Sequence, residues 1–135
     1  FIPVVILRLY NVFGKGMNNN SGSIINLFLD SDEIEVYGNG DVTRDFIHVR
    51  DVVSVIKASL TPKWNGKCIE VGTGKGTSIK ELAEMFAKYR GLEVKYLKDR
   101  PQLRWPIANT KLLKELYVRE LTTNLEEDIK SLCQN

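Results

Sequence analysis

Residues 67–97, KCIEVGTGKGTSIKELAEMFAKYRGLEVKYL, hold a strand, a glycine turn, a helix and a second strand in that order. KCIEV is a short strand-forming run. Ser78 and Glu81 have the spacing of a reciprocal capping box at a helix N-terminus. Ile79, Leu82, Ala83 and Phe86 then recur at helical spacing as an inward stripe, and Gly91 supplies the stop. EVKYL returns the chain to extended chemistry. This alternation is the rhythm of a βαβ protein.

The turn itself, GTGKGTS at 72–78, invites comparison with phosphate loops and fails both tests. A P-loop needs four residues between its first glycine and a Gly-Lys-Ser/Thr triplet, but Lys75 is followed by Gly76. The dinucleotide fingerprint Gly-x-Gly-x-x-Gly, counted from Gly72 and Gly74, meets Thr77 where its third glycine belongs. A helix N-terminus still offers free amides to an anion. The expectation is nevertheless a structural turn, with Thr77 or Ser78 satisfying those amides internally.

Outward from this unit, the opening FIPVVILRLY reads as a strand, and Val4–Leu7 is an apolar run without alternation. Such runs suit strands buried on both faces in a parallel sheet. NVFGKGMNNNSGS then reads as a loop, and Ser21 or Ser23 can cap a helix whose apolar side is Ile24, Ile25, Leu27 and Phe28. DSDE ends that helix, IEVY is a short strand, GNGD is a turn and TRDFIHV is extended. Asp51 is placed to cap a helix carrying Val52, Val55, Ile56 and Leu60, which Pro62 stops. After the irregular RPQLRWP, Thr110 and Asn124 open two further helices. The chain shows no internal repeat and no low-complexity segment.

The chain has 135 residues, enough for one domain or part of a larger one, with 19 basic and 17 acidic side chains. The two signs are interspersed, without a basic block, so nucleic acid is not expected as a partner. The opening apolar stretch is too short to span a bilayer and carries Arg8, so no membrane association is expected. Cys68 and Cys133 have neither metal nor redox spacing and read as free, buried thiols, which suits a cytoplasmic location.

Few residues stand out as chemical. Asn11 leaves the end of a buried parallel strand, where ligands gather in open α/β sheets, though it can equally bond the loop it begins. Arg44 follows a glycine turn, and its planar fork suits a phosphate or carboxylate; the plainer alternative is an ion pair with Asp41. His48 is the only histidine, with no metal partner and no evident nucleophile, so a packed or hydrogen-bonded role is expected. Asp45 and Asp51 read as turn and cap residues.

Taken in order, VVILRLYNVFG, VYGNGDVTRDFIHVRDVV, IEVGTGKGTSIKELAE and NLEEDIKS resemble the C-terminal half of the NAD-dependent nucleotide-sugar epimerase/dehydratase family. These are extended short-chain dehydrogenases that include UDP-glucose 4-epimerase. The resemblance implies an α/β fold, the C-terminal portion of an extended Rossmann-type dehydrogenase, with late parallel strands and a small mixed α/β substrate-binding subdomain. Residues 1–135 would form a single substrate-binding portion.

The resemblance also implies a nucleotide-diphosphate sugar as ligand. Asn11 would contact the diphosphate, Tyr37 and Gly38 would border the base or ribose, and Arg44 would neutralise the diphosphate. Arg100 would add a second phosphate contact. In the family NAD takes a hydride from the sugar while the tyrosine of a Tyr-x-x-x-Lys motif takes the hydroxyl proton. That motif and the glycine fingerprint would lie before Phe1, since Tyr10, Tyr37, Tyr89, Tyr96 and Tyr117 all lack a lysine four residues on. The chain alone is therefore expected to bind no cofactor and to carry no catalytic residue, with a missing N-terminal Rossmann half or self-association covering its opening strand.

A UDP-glucose/UDP-galactose 4-epimerase is the implied activity. A 4,6-dehydratase of the same family and a non-catalytic binding or assembly module are the alternatives. One departure from the family pattern is local. RPQLRW is a residue short and places Gln102 and Leu103 where a glycine and a ribose-binding acid are expected, leaving Arg104 as a second candidate beside Arg100. Lys15 stands where the family has a proline.

Overall fold

The computed structural model describes residues 2–18 and 21–134. In chain order the elements are β1 (Ile6–Leu9), β2 (Asn11–Phe13), α1 (Ile24–Asp30), β3 (Ile34–Tyr37), β4 (Thr43–Arg44) and β5 (Phe46–His48). There follow α2 (Val49–Ser59), a 3-10 turn at Pro62–Trp64, β6 (Cys68–Val71), β7 (Thr77–Ser78), α3 (Ile79–Arg90), β8 (Val94–Leu97), α4 (Lys111–Leu116) and α5 (Leu125–Cys133).

Among the described residues the strands form pairs between distant segments. β1–β6, β2–β5 and β3–β8 are parallel, and β4–β7 is antiparallel. The register sets Ile6 opposite Cys68, Asn11 opposite Phe46 and Ile34 opposite Val94. The unit read first from the sequence is present: β6 leads through the glycine turn and β7 into α3, and β8 follows. Ser78 and Glu81 form the reciprocal capping box, while Gly91 closes α3 in the left-handed conformation at φ +66°.

Two apolar clusters hold these pairs. One joins α1, α3, α5 and β3 through Ile25, Phe28, Ile34, Val36, Leu82, Phe86 and Ile129, with the Phe28 and Phe86 rings edge to face at 5.8 Å. The other gathers Ile47, Val52, Val55, Trp64, Ile69, Val71 and Leu113 between β6, α2 and α4. Burying a large side chain such as Phe86 or Leu82 is worth roughly 1.5–3 kcal/mol over leaving it exposed.

Several expectations need correction. The opening strand spans only Ile6–Leu9, and Val4, Ile6 and Leu9 are exposed rather than buried on both faces, because β1 has a single partner strand among the described residues. The loop begins after Phe13, since Asn11–Phe13 joins β5 as a strand; Asn19, Asn20 and Phe1 lie outside the described residues. Ser23 is the N-cap of α1 without a side-chain bond, while Ser21 Oγ accepts from the Ser23 amide and from Asn26 Nδ2. Asp51 does not cap α2. His48 does, its Nδ1 accepting from the Arg50 amide. Cys68 is exposed rather than buried, and Cys133 is half-buried.

Candidate nucleotide-sugar site

Asp45 is the pivot of the region between β4 and β5. It is fully buried, a position that a carboxylate tolerates only when its oxygens are hydrogen-bonded. Oδ1 accepts from the Thr73 amide and Thr73 Oγ1 at 2.9 and 2.7 Å, and Oδ2 accepts from the Gly74 and Ala108 amides at 2.9 and 3.1 Å. Asp45 is thus no local turn residue. Its side chain occupies the Thr73 and Gly74 amides of the glycine turn, in keeping with a structural turn at residues 72–78. Gly72 completes the fit: a Cβ there would meet Asp45 Oδ2 at 2.7 Å and the Ala108 methyl at 2.6 Å.

Arg44 and Asn11 flank this pivot. The Asn11 amide and its Nδ2 both donate to the Asp45 carbonyl, each at 3.0 Å. Arg44 is half-buried on β4, and among the described residues it makes no ion pair. The Asp41 partner expected from the sequence is absent: Asp41 accepts from Asn39 Nδ2 instead. Arg44 Nε is buried without an acceptor, burial pushes the guanidinium pKa below its ordinary value, and the guanidinium carbon lies 5.1 Å from the centre of the Trp105 ring.

The other three sequence candidates form a second group. Arg100 lies over the Tyr37 ring at 3.5 Å from its centroid. Gly38, at φ +63°, lets the chain turn where a Cβ would strike the Asp99 carboxylate at 2.6 Å. Gln102 Nε2 donates to the Tyr37 carbonyl at 3.2 Å, and Asp99 Oδ1 accepts from the Arg100 amide at 2.9 Å. A hollow of about 480 Å³ opens here, lined by Asn39, Asp41, Asp99, Arg100, Gln102 and Arg104 among others.

Residues 99–108 tie the groups together. The segment is fixed at one end on Tyr37 through Arg100 and Gln102, and at the other on Asp45 through the Ala108 amide. Between these anchors the Trp105 ring centre lies 5.1 Å from the Arg44 guanidinium carbon. A larger hollow, about 720 Å³, lies between the glycine turn and residues 117–125, and none of Asn11, Tyr37, Gly38, Arg44 and Arg100 lines it. His48 is packed as expected, edge to face with Phe13 at 5.2 Å, and burial followed by the nearby Arg50 charge lowers its pKa. No group of three or more His, Cys, Asp or Glu side chains among the described residues could hold a metal, and no described helix is long and apolar enough to cross a membrane.

The model of the NAD dependent epimerase/dehydratase family matches residues 1–72, more than half of the chain. The chain belongs to this family. A dTDP-L-rhamnose 4-epimerase from Burkholderia thailandensis is 35% identical over 66% of this chain and 26% of its own length. Among solved structures, the UDP-N-acetylglucosamine 4-epimerase of Methanobrevibacter ruminantium, in complex with UDP-N-acetylmuramic acid, superposes with a TM-score of 0.85 at 27% identity, over 98% of this chain and 46% of that one. The UDP-glucose 4-epimerase of Thermotoga maritima with UDP-glucose gives 0.83 at 25% identity, over 96% and 44%. The chain therefore spans less than half of these relatives.

The fold of this family member is the late-strand portion of an extended Rossmann-type dehydrogenase, carrying a mixed α/β subdomain. The family is NAD-dependent. The glycine turn of this chain does not fit the pyrophosphate of that cofactor, because the Asp45 carboxylate already holds the Thr73 and Gly74 amides. Sequence reasoning missed Asp45 and Trp105 as site-building residues. The first had a faint signal, an acid next to the arginine in TRDF; the second lay in RPQLRW, where irregular chain carries no periodicity to read.

Proposed function

We propose that this chain is the nucleotide-sugar-gripping portion of an NAD-dependent UDP-hexose 4-epimerase, with the hydride and proton chemistry carried by residues upstream of Phe1. The observation that carries this reading is Arg44: a half-buried arginine with an unpartnered Nε and, among the described residues, no ion pair with an acid. A guanidinium kept without a counter-charge is suited to an anionic ligand, and its fork matches phosphoryl oxygens. The structural relatives in complex with UDP-glucose and UDP-N-acetylmuramic acid, and the 4-epimerases among the relatives, favour a nucleoside-diphosphate sugar.

In this reading Arg44 and Asn11 take the diphosphate at the ends of β4 and β2, while Tyr37, Gly38 and Arg100 border the nucleoside. The roles divide by chemistry. Arg100 and Arg44 supply charge from two anchored positions, Tyr37 holds the Arg100 guanidinium by its ring face, and Asn11 offers an amide beside the Asp45 carbonyl. The dinucleotide is assigned to the upstream half, where the family's glycine fingerprint would lie. No side chain of this chain is assigned a proton transfer.

Calorimetric titration of UDP-glucose tests the assignment. Arg44→Ala should weaken binding by about 1.5–3 kcal/mol, the value of a hydrogen bond to a charged group. Unchanged affinity would remove Arg44 from the site.

A further inference from the structure

The segment 99–108 is held at both ends and open in the middle. Leu103 is 77% exposed and Trp105 43% exposed, and no apolar cluster claims either side chain. An exposed indole usually lies against the nearest apolar surface. This one lies instead by a charged group, the Arg44 guanidinium, at 5.1 Å. The same guanidinium has a buried Nε with no acceptor. An ordinary surface arginine meets an acid there, and among the described residues Arg44 pairs with none.

We propose that Trp105 is the positioning residue of the Arg44 anion subsite. Its ring covers the guanidinium, excludes water from it and holds it for a phosphoryl group of the ligand. This inference rests on the nucleotide-sugar reading above and deepens it by naming what prepares the arginine. Three features combine. The ring face attracts the cation, so the side chain loses less freedom when the anion arrives. The cover lowers the local dielectric, which strengthens a charged hydrogen bond to phosphate. The anchors at Gln102 and Ala108 fix the backbone on either side of Trp105, so the ring is placed by the strap rather than by its own packing.

The same arrangement distinguishes the two arginines. Arg100 lies 3.5 Å from the ring centre of a strand residue, Tyr37, whereas Arg44 lies 5.1 Å from that of Trp105 in the 99–108 segment. An anion bound at Arg44 therefore lies next to Trp105, and its arrival should be visible in indole emission. Trp64, fully buried in the second apolar cluster, is shielded from it.

The test uses the protein at its natural length, with inorganic pyrophosphate and UDP-glucose as probes, titrated by calorimetry and by tryptophan emission. Trp105→Leu keeps an apolar cover and removes the ring, and it should weaken both probes by about five- to tenfold, the range for losing a partly desolvated cation–ring contact. Trp105→Phe keeps a ring, so its affinity should stay within about threefold of the parent, while the pyrophosphate-induced emission change disappears. A Leu variant that binds as tightly as the parent, while Arg44→Lys is weakened, overturns the role of Trp105 and leaves the diphosphate assignment standing. A Phe variant weakened as far as the Leu variant shows that a ring at this position is not what holds the guanidinium, and overturns it as well. If the parent protein binds neither probe, the nucleotide-sugar reading fails, and this inference falls with it.

Discussion

At the scale of single residues, Asp45 has the largest reach. Its carboxylate joins three separated stretches of chain: the β4–β5 junction, the glycine turn and the segment leading to α4. Asp45→Ala would leave the Thr73, Gly74 and Ala108 amides without their acceptor, of which Ala108 is buried, Thr73 half-buried and Gly74 exposed. The expected loss is about 1–3 kcal/mol, because the unsatisfied buried Ala108 donor costs its desolvation in full. Thermal unfolding of the purified variant checks this, and a loss below about 1 kcal/mol would mean that water replaces the carboxylate. Sequence showed this residue and not its role. The two acids of TRDFIHVRD, Asp45 and Asp51, are both buried and differ in their partners, which lie some 30 to 70 positions away and which no local pattern reports.

At the scale of elements, the junction of β5 and α2 is held from the far end of the chain. Asp51 Oδ1 accepts from the Thr122 amide and hydroxyl, Oδ2 accepts from the Thr123 amide and hydroxyl, and Arg50 makes a paired contact with Asp128 at 2.7 and 2.8 Å. Burial pushes the Asp51 pKa up, but the hydrogen bonds from Thr123 and Thr122 outweigh it and leave the pKa below the ordinary value. The carboxylate form is thus favoured by folding, so its contribution is present above about pH 4 and fades as acid protonates it.

His48 works in the same direction at higher pH. Its folded pKa is depressed, chiefly by burial, so the neutral ring is favoured, and its contribution is full above about pH 6.5 and declines below. Urea unfolding from pH 7 to 5 should show stability falling with acid. His48→Asn keeps a capping acceptor without titrating, and it should flatten that slope. An unchanged slope would assign the effect to other groups. Here the helices were legible: the Ser78–Glu81 box, the Gly91 stop and the α3 stripe all follow from side-chain chemistry within a turn or two. The N-cap of α2 was not, because His48 and Asp51 both suit a helix start, and Asp51 was claimed by two threonines from the tail.

At the scale of the whole molecule, an apolar face remains without a cover among the described residues. Ile2, Val4, Ile6 and Leu9 are 83, 54, 57 and 46% exposed, and Val49, Val53, Ile56 and Leu60 of α2 and its end add a second stripe. An unpaired strand edge beside exposed apolar side chains is a site for association. The 135-residue chain by itself should therefore sediment as concentration-dependent oligomers, and Ile6→Lys should return it toward the monomer. A parent chain that stays monomeric at high concentration would contradict this. The family resemblance made the order of segments readable across nearly the whole sequence. The burial of Val4–Leu7 was not readable from it, because the apolar run reports what the strand is suited to, while its exposure depends on which neighbouring strands are present.

The strand pairing sets the order in which this fold can be made. Among the described residues no two consecutive strands form a hairpin: β1 finds β6, β2 finds β5, β3 finds β8 and β4 finds β7. Ile6 waits for Cys68, and Ile34 waits for Val94. Each pairing must close a long loop before any contact rewards it, which slows folding relative to chains built from neighbouring hairpins. During synthesis the early strands emerge with no partner yet translated, and the Asp45 amide clamp cannot close until Ala108 has left the ribosome. The site assembled by the strap is among the last parts of this chain to exist.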